Sequence, residues 1–407
     1  MEIRHILSSL KRNNALSILI VLQISITLVM VSNSVFITLD VLKGWRQPTG
    51  LKEQNLVWVY NQFYDPNLNL EDQIQRDLQD IKNLPGVMSV TTTLEVPFES
   101  VSSFRWVFDS DKENAARYQI SLLDLDENGR GVLDVELIEG RWYSPNEIAY
   151  GDISTVTLPS VVLISETLAS EVFPGESALG KTIYLQPNGL EGAEVIGVYR
   201  DFMGGDTAVY REVPYNTVIR PMRAWGQDYT TNYLIKTEPG AAAGLLDHIE
   251  EALYGTRGRY IVFTEVLTRT LKRLYDGRTS FAFTMLGVSA ICILITALGI
   301  IGLVGLSVSQ RYKQIGTRRA LGATKWQVVR YFLVENSVLT SIGLVIGFIL
   351  SYGLNYILAT EFNNPSLIEV EYWLVIALTL WLINLLAARI PAKRAADIDP
   401  AIVTRTV

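Results

Sequence analysis

Reactive side chains are scarce in this chain of 407 residues, which holds one cysteine, Cys292, and two histidines, His5 and His248. A single thiol closes no intrachain disulfide, and this set leaves cysteine-based zinc sites and a Ser–His–Asp apparatus without their parts. His248 falls in a helical stretch and reads as a solvated helix residue rather than a catalytic base. Charge is sparse too: 19% of residues are charged, 49% are hydrophobic, and the mean hydropathy is +0.22. Those values exclude an ordinary soluble domain and imply that apolar residues are gathered in blocks.

Four blocks reach bilayer-spanning length, about 20 residues: Leu16–Leu39, Phe281–Val308, Val328–Leu358 and Tyr372–Ala388. Between Asp40 and Arg278 acids outnumber bases 35 to 22, whereas the N-terminus, the 311–330 stretch and the C-terminus together hold 13 Lys and Arg against three acids, Glu2, Asp397 and Asp399. Lys and Arg near span ends resist translocation, so both termini and the 310s loop are expected in the cytoplasm and the acidic region outside. The expected division is a cytoplasmic amphipathic helix over 1–14, a span over 15–40, an external core domain over 41–263 with an insert at about 95–230, a stalk and second span over 264–310, a cytoplasmic loop over 311–326, a third span over 327–358, an external loop over 359–371, a fourth span over 372–390 and a cytoplasmic tail over 391–407. A cleaved signal peptide is the other reading of the N-terminus. Against it, the apolar block is long for such a leader and lacks a good small-x-small cleavage site.

The 311–326 loop contains Arg311, Lys313, Arg318, Arg319 and Lys325 and no acid. Gly316 and Gly322-Ala323 punctuate it, and the spacing predicts about one helical turn from Thr317 through Arg318, Arg319 and Ala320 to Leu321, capped by Thr317. Thr324, Lys325 and Trp326 complete the stretch. Glu335 lies about two turns into the third span, where a carboxylate is costly unless paired. Arg330 or Arg319 is the expected partner, in a structural ion pair rather than a proton path.

In the first span Gln23, Thr27, Ser34 and Thr38 share a helical face, expected to meet another helix or a second subunit. Gly299, Gly302 and Gly305 in the second span, and Gly343, Gly347 and Ser351 in the third, let helices approach closely. Val262–Ser309 reads as one nearly unbroken helix, about 70 Å at 1.5 Å per residue. It begins as a charged stalk with Arg269, Lys272 and Arg273, and Gly277 is its weak point. Tyr372 and Trp373 suit the outer interface.

The external region shows two β–α–β patterns. A strand over Asn55–Gln62, a helix over Leu70–Asn83 and a strand over Val87–Thr93 come first. A strand over Asn232–Thr237, a helix over Ala241–Tyr254 and a strand over Arg259–Thr264 follow the insert. They imply a small α+β domain split by a mostly β insert. Within the insert, Gly175–Thr182 fits G-x-x-x-x-G-K-[ST], the phosphate-cradling pattern. That chemistry needs a strand before the loop and a helix after it. Here a helix-like run precedes the loop and a strand pattern follows, so a plain turn is expected. A self-contained nucleotide hydrolase would rest on this motif alone.

The stretch QIGTRRALGATKWQVVRYFLVE, Gln314–Glu335, resembles the signature of FtsX/MacB-type ABC transporter permeases, and Pro391–Pro400 resembles their Pro-Ala-Lys/Arg-Arg-Ala-Ala-x-x-x-Pro tail. The segments LIEGRWYSPNE, VVLISETLASEVFPGE and AEVIGVYRDF look like the periplasmic core domain of MacB-like permeases, which also carry a similar G-K-T-I turn. The resemblance implies an α-helical membrane protein with four transmembrane helices and a large α+β periplasmic domain on helical stalks, in a bacterial inner membrane. It implies a non-catalytic permease subunit of an efflux system. Gly316 to Trp326 would couple it to a cytoplasmic ABC ATPase on a separate chain. That ATPase would use ATP and Mg, and this chain would bind no cofactor or metal and no nucleic acid. A second permease, identical or paralogous, is implied as partner, with membrane lipid and by analogy a periplasmic adaptor and an outer-membrane channel. Motion would pass through the stalks to the periplasmic domain. An FtsX-like regulator of periplasmic enzymes and a membrane sensor stand as alternatives.

Overall fold

The computed structural model describes residues 14–65, 67–99, 105–186, 192–204, 214–226, 228–256, 258–361 and 370–397. The expected amphipathic helix over 1–13, most of the loop over 359–371 and the tail beyond residue 397 lie outside these residues. The chain divides into two compact units, one formed by residues 1–43 and 278–407, the other by Gly44–Gly277.

The first unit is built from long helices: α1 (Asn14–Arg46), α6 (Leu267–Gln310), α7 (Tyr312–Ala320), α8 (Lys325–Glu361) and α9 (Val370–Ala396), with the second unit contributing the ends of α1 and α6. Four of these, α1, α6, α8 and α9, are long and apolar enough to cross a membrane. α1 packs through apolar side chains, Ile20 and Ile24 with Ile300 and Leu339 and Leu28 and Val31 with Ile376 and Leu380, and through a set of polar contacts. Gln23 Nε2 donates to the Ile295 carbonyl at 2.9 Å, the Thr27 and Thr296 hydroxyls meet at 2.6 Å, and Ser34 lies 2.7 Å from Ser289, all on α6. Toward α8, Ser25 donates to the Gly343 carbonyl at 2.9 Å and Ser32 meets Ser351 at 2.8 Å. A Cβ on Gly343 or Gly347 would come within 2.9–3.0 Å of Ile24 or Ser25, so glycine here sets the helix spacing. The second-span glycines differ from expectation. Gly299 packs on Gln23, but Gly302 and Gly305 face open space, because each step of three residues turns the stripe about 60° away from α1. Trp373 is 3% exposed and packs edge-on to Phe348.

The second unit holds a four-stranded antiparallel sheet in the order β12-β1-β11-β2. Its elements are β1 (Leu56–Phe63), α2 (Leu70–Lys82), β2 (Val87–Thr93), β11 (Thr230–Thr237), α5 (Ala242–Leu253) and β12 (Arg259–Val266). Period-2 alternation decides the layers. Val57 and Val59 face α2 and α5, packing with Ile74, Leu78, Ile81 and Ile249, while Leu56 and Trp58 face the insert.

The insert contributes β3 (Arg105–Phe108), β4 (Arg117–Leu125), α3 (Gly129–Leu133), β5 (Leu137–Gly140), β6 (Ala149–Asp152), β7 (Val161–Ser165), α4 (Glu166–Val172), β8 (Thr182–Tyr184), β9 (Gly192–Tyr199) and β10 (Thr217–Trp225). The pairing runs β4-β3-β8-β9-β7-β10 and then returns, because β10 also pairs in parallel with β4. The ladder therefore closes into a six-stranded barrel, filled by side chains such as Val107, Ile120, Val162, Ile183 and Val195. Where barrel meets sheet, Asp124 holds Arg220 in a two-pronged pair at 2.6 and 3.0 Å, both nearly buried. Next to it Asp126 accepts from Thr91 on β2 at 2.7 Å and from Arg223 on β10 at 3.1 Å.

Three expected boundaries move. Residues 262–266 are strand, not stalk, because Val57 pairs with Val266 and the ladder holds that segment extended; α6 starts at Leu267. α1 runs past residue 40 to Arg46. α9 continues through Pro391 to Ala396, its small residues Ala388, Ala392 and Ala395 fully buried around the proline.

Candidate functional site

The basic stretch between α6 and α8 folds into a helix–turn–helix. α7 covers Tyr312–Ala320, so Gly316 and Thr317 sit inside a helix rather than at its start. Thr317 does not cap: its hydroxyl donates to the Lys313 carbonyl at 2.9 Å, the within-helix bond of a hydroxyl four residues on. Gly316 is buried with Ile315 on the inner side of α7, which explains a small residue there without a break.

The real stop is Gly322, at φ +97°. The Gly322 amide donates to the Arg319 carbonyl at 3.1 Å and the Ala323 amide to the Arg318 carbonyl at 3.0 Å, the double bond of a Schellman closure. α8 restarts at once. The Gln327 amide donates to Thr324 Oγ1 at 3.2 Å, and the Thr324 amide donates to Gln327 Oε1 at 2.9 Å, a reciprocal capping box. Gln327 escaped the sequence reading, although Thr-x-x-Gln ahead of an apolar run is its signal. Arg319 Nη1 adds a bond to the Ala323 carbonyl at 2.9 Å. All four amides of the turn, Leu321 to Thr324, are thus hydrogen-bonded, which stiffens it.

What this stiff turn exposes is apolar and cationic. Leu321 is 83% exposed and Trp326 64%, with Lys313, Arg318, Ala320 and Lys325 also on the surface. Lys325 reaches Asp397 at 2.6 Å, and this contact and the bond between them hold the Asp397 carboxyl below its usual range. Underneath, Glu335 is 7% exposed and receives both arms of Arg311, at 2.8 and 3.0 Å. This two-pronged pair is with Arg311, at the head of the stretch, a partner the sequence did not single out. Arg330 precedes Glu335 by five positions on α8, about 140° around the helix, and is exposed; Arg319 is turned to the Ala323 carbonyl. Between α7 and α8 lies a groove of about 190 Å³, lined by polar Gln314, Arg318 and Gln327 and apolar Ile315, Val328 and Phe332.

In the core unit, the stalk charges gather on one acid. Glu265, 4% exposed, accepts from Thr270 at 2.8 Å, pairs with Arg273 and lies 3.9 Å from Arg269, while Lys272 is exposed and Gly277 faces open space. The Gly175–Thr182 motif is a turn and not a phosphate cradle. Helix α4 precedes it, strand β8 begins at Thr182, the Gly180 amide is spent on the Val195 carbonyl, and Lys181 pairs with Glu176 over the Phe173 ring. Among the described residues, no group of three or more His, Cys, Asp or Glu is placed to hold a metal.

Comparison with known proteins agrees with this architecture. A model of the MacB-like periplasmic core domain matches residues 17–251, and one of the FtsX-like permease C-terminal domain matches residues 286–400. The chain is 27% identical over 352 residues to an uncharacterized ABC transporter permease of Bacillus subtilis, YknZ, covering 83% of this chain and 80% of that one. It is 27% identical over 275 residues to the macrolide export ATP-binding/permease protein MacB of Chromobacterium violaceum, which is 66% of this chain but 40% of that longer protein. Among solved structures, the periplasmic region of MacB from Actinobacillus actinomycetemcomitans aligns with 58% of this chain at 15% identity and a TM-score of 0.33. The extracellular domain of YknZ aligns with 50% at 14% identity and a TM-score of 0.31. With the core-domain model spanning more than half of the chain and the permease model following it, this multi-pass membrane protein belongs to the MacB/FtsX-type family of ABC transporter permeases.

Proposed function

We propose that this chain is the permease subunit of an export system in a bacterial cytoplasmic membrane, driven by a separate cytoplasmic ABC ATPase that uses ATP and Mg. The observation that carries the reading is the stiff α7–α8 turn. Leu321 and Trp326 stand exposed on it, ringed by Arg318 and Lys325. A rigid apolar and aromatic centre with an arginine rim is what a protein partner grips. The basic charge of the stretch favours the cytoplasmic side, and the acidic core domain favours the opposite side. The Arg311–Glu335 pair ties the turn to the third span, so a push on the turn is felt by α8. α1 and α6 carry motion onward, and the Glu265 cluster stiffens the start of α6. The relative named as a macrolide exporter supports export as the direction of work. A second permease chain belongs to this reading, as do, more distantly, an adaptor and an outer-membrane channel.

The test is affinity purification of the tagged chain from its native membranes in mild detergent. The unmodified chain should bring down an ABC ATPase, and Leu321→Asp/Trp326→Asp should lose it while the chain remains folded. A flexible glycine insertion beside Arg273 should leave the ATPase bound but abolish export. If the double variant retains the ATPase, the turn is not the docking surface; export that survives the insertion removes the lever.

A further inference from the structure

The α7–α8 groove holds a cation that the helix–turn–helix does not use. Arg318 lies over the Tyr331 ring, 5.3 Å from its centroid, and among the described residues no carboxylate pairs with it. Its neighbour Arg311 is neutralised by Glu335, so the charge facing the groove is that of Arg318 alone. The lining is divided: Gln314, Arg318 and Gln327 supply donors, while Ile315, Val328 and Phe332 supply an apolar wall. Its depth along the span axis is fixed by the chain, since α6 ends at Gln310 and α8 begins at Lys325. The groove therefore sits where two spans leave the hydrocarbon, at headgroup level. A volume of about 190 Å³ equals roughly six waters' share at ~30 Å³ each, room for a phosphodiester and part of its glycerol.

We propose that this groove seats the headgroup of an anionic phospholipid, with Arg318 binding the phosphodiester, Gln314 and Gln327 the headgroup oxygens, and the Val328–Phe332 wall the first acyl carbons. Guanidinium stacked on an aromatic ring keeps its outward N–H groups free, and they match phosphate oxygens in paired bonds. Basic pockets between spans at the membrane surface select anionic headgroups on these terms. A bound lipid would wedge α7 against α8 from the membrane side and so set the angle of the exposed turn.

The experiment is native mass spectrometry of the full chain, without any ATPase, titrated with dioctanoyl phosphatidylglycerol, dioctanoyl phosphatidylcholine or inorganic phosphate. The anionic lipid should bind at least tenfold tighter than the zwitterionic one, and inorganic phosphate should not displace it. Arg318→Gln should weaken it about tenfold. Gln314→Trp, at an exposed helix position, should fill the groove and block it with Arg318 intact. Lys313→Gln and Lys325→Gln remove exposed cations that do not line the groove and should change it less than twofold. Equal binding of the two lipids, equal loss in all the cation variants, or displacement by inorganic phosphate would each overturn the site. Because no ATPase is present, failure here is separate from failure of the docking test. If Arg318→Gln costs ATPase binding but no lipid, the groove belongs to the protein partner.

Discussion

Both units pack apolar clusters, but they differ in the polar contacts that join their elements. In the core domain, apolar clusters on both faces of the four-stranded sheet carry the packing, and buried ionic groups are matched by opposite charges, as in Arg220 with Asp124 and Arg259 with Asp77. In the helical unit, the apolar contacts of Ile20, Ile24, Leu28 and Val31 are supplemented by interhelical hydrogen bonds from Gln23, Ser25, Thr27, Ser32 and Ser34 and by close approach at glycine backbones. The difference follows from the solvent. Water rewards burial of apolar surface. Lipid tails are as apolar as leucine, so hydroxyl bonds and close approach must do the joining. The lesson is that one residue type has opposite value in the two units, and substitutions should reveal it.

The largest effect is expected in the core domain. Asp124→Leu removes the two-pronged carboxylate partner of the buried Arg220 at the barrel–sheet junction and should cost about 3–5 kcal/mol, read as a lower melting temperature by tryptophan fluorescence. A change under about 1 kcal/mol would show that water reaches the pair. Second comes pH. Burial, opposed by the charge of Arg105, raises the Glu95 carboxyl from 4.5 to about 7. The folded domain thus holds this proton more tightly than the unfolded chain does. Its contribution is full below pH 4.5 and fades as pH rises to about 7, on the order of 3 kcal/mol across that window. Glu95→Gln should flatten the melting temperature between those two pH values; an unchanged profile assigns the dependence elsewhere.

Smaller effects are expected among the helices. Gly347→Leu drives a side chain into Ser25 and Leu28 and should cost about 1–3 kcal/mol, whereas a Cβ at Gly302 meets nothing within 4 Å among the described residues, so Gly302→Leu should cost less. Unfolding in detergent should separate the two variants, and equal loss would mean that Gly302 faces a partner. Smallest is Thr27→Val, which removes one interhelical hydroxyl pair and should cost about 0.6 kcal/mol. A loss above about 2 kcal/mol would mean that the lipid-phase bonds act as a network.

The sequence is legible where a pattern is local. The six elements around the insert show their periods directly, Ile74, Leu78 and Ile81 on a helix and Val57 and Val59 on a strand, because each alternation is set within a few residues. The barrel is not legible beyond its strand-rich composition. Its closure depends on Thr217–Pro221 lying parallel to Ser121–Leu125, a partnership nearly a hundred residues apart that leaves no local mark. The same limit explains the 311–326 stretch. Gly322 and Thr324 carry local turn chemistry. Gly316 reads as a break only until its burial is known, and the pairing of Arg311 with Glu335 is made by a neighbouring helix end.

The placement of β1 has a consequence for how the molecule is made. Its two ladder partners, β11 and β12, are the last strands of the domain, so β1 waits with both edges unpaired until the whole barrel has been synthesised. Pairings of such sequence separation form late and slowly, and unpaired edges invite the wrong neighbour meanwhile. The strand that ends the wait, β12, runs directly into α6. Folding of this domain is therefore completed only as the chain enters its next long apolar helix, and a pause in translation before Arg259 would leave a half-built sheet exposed to proteases.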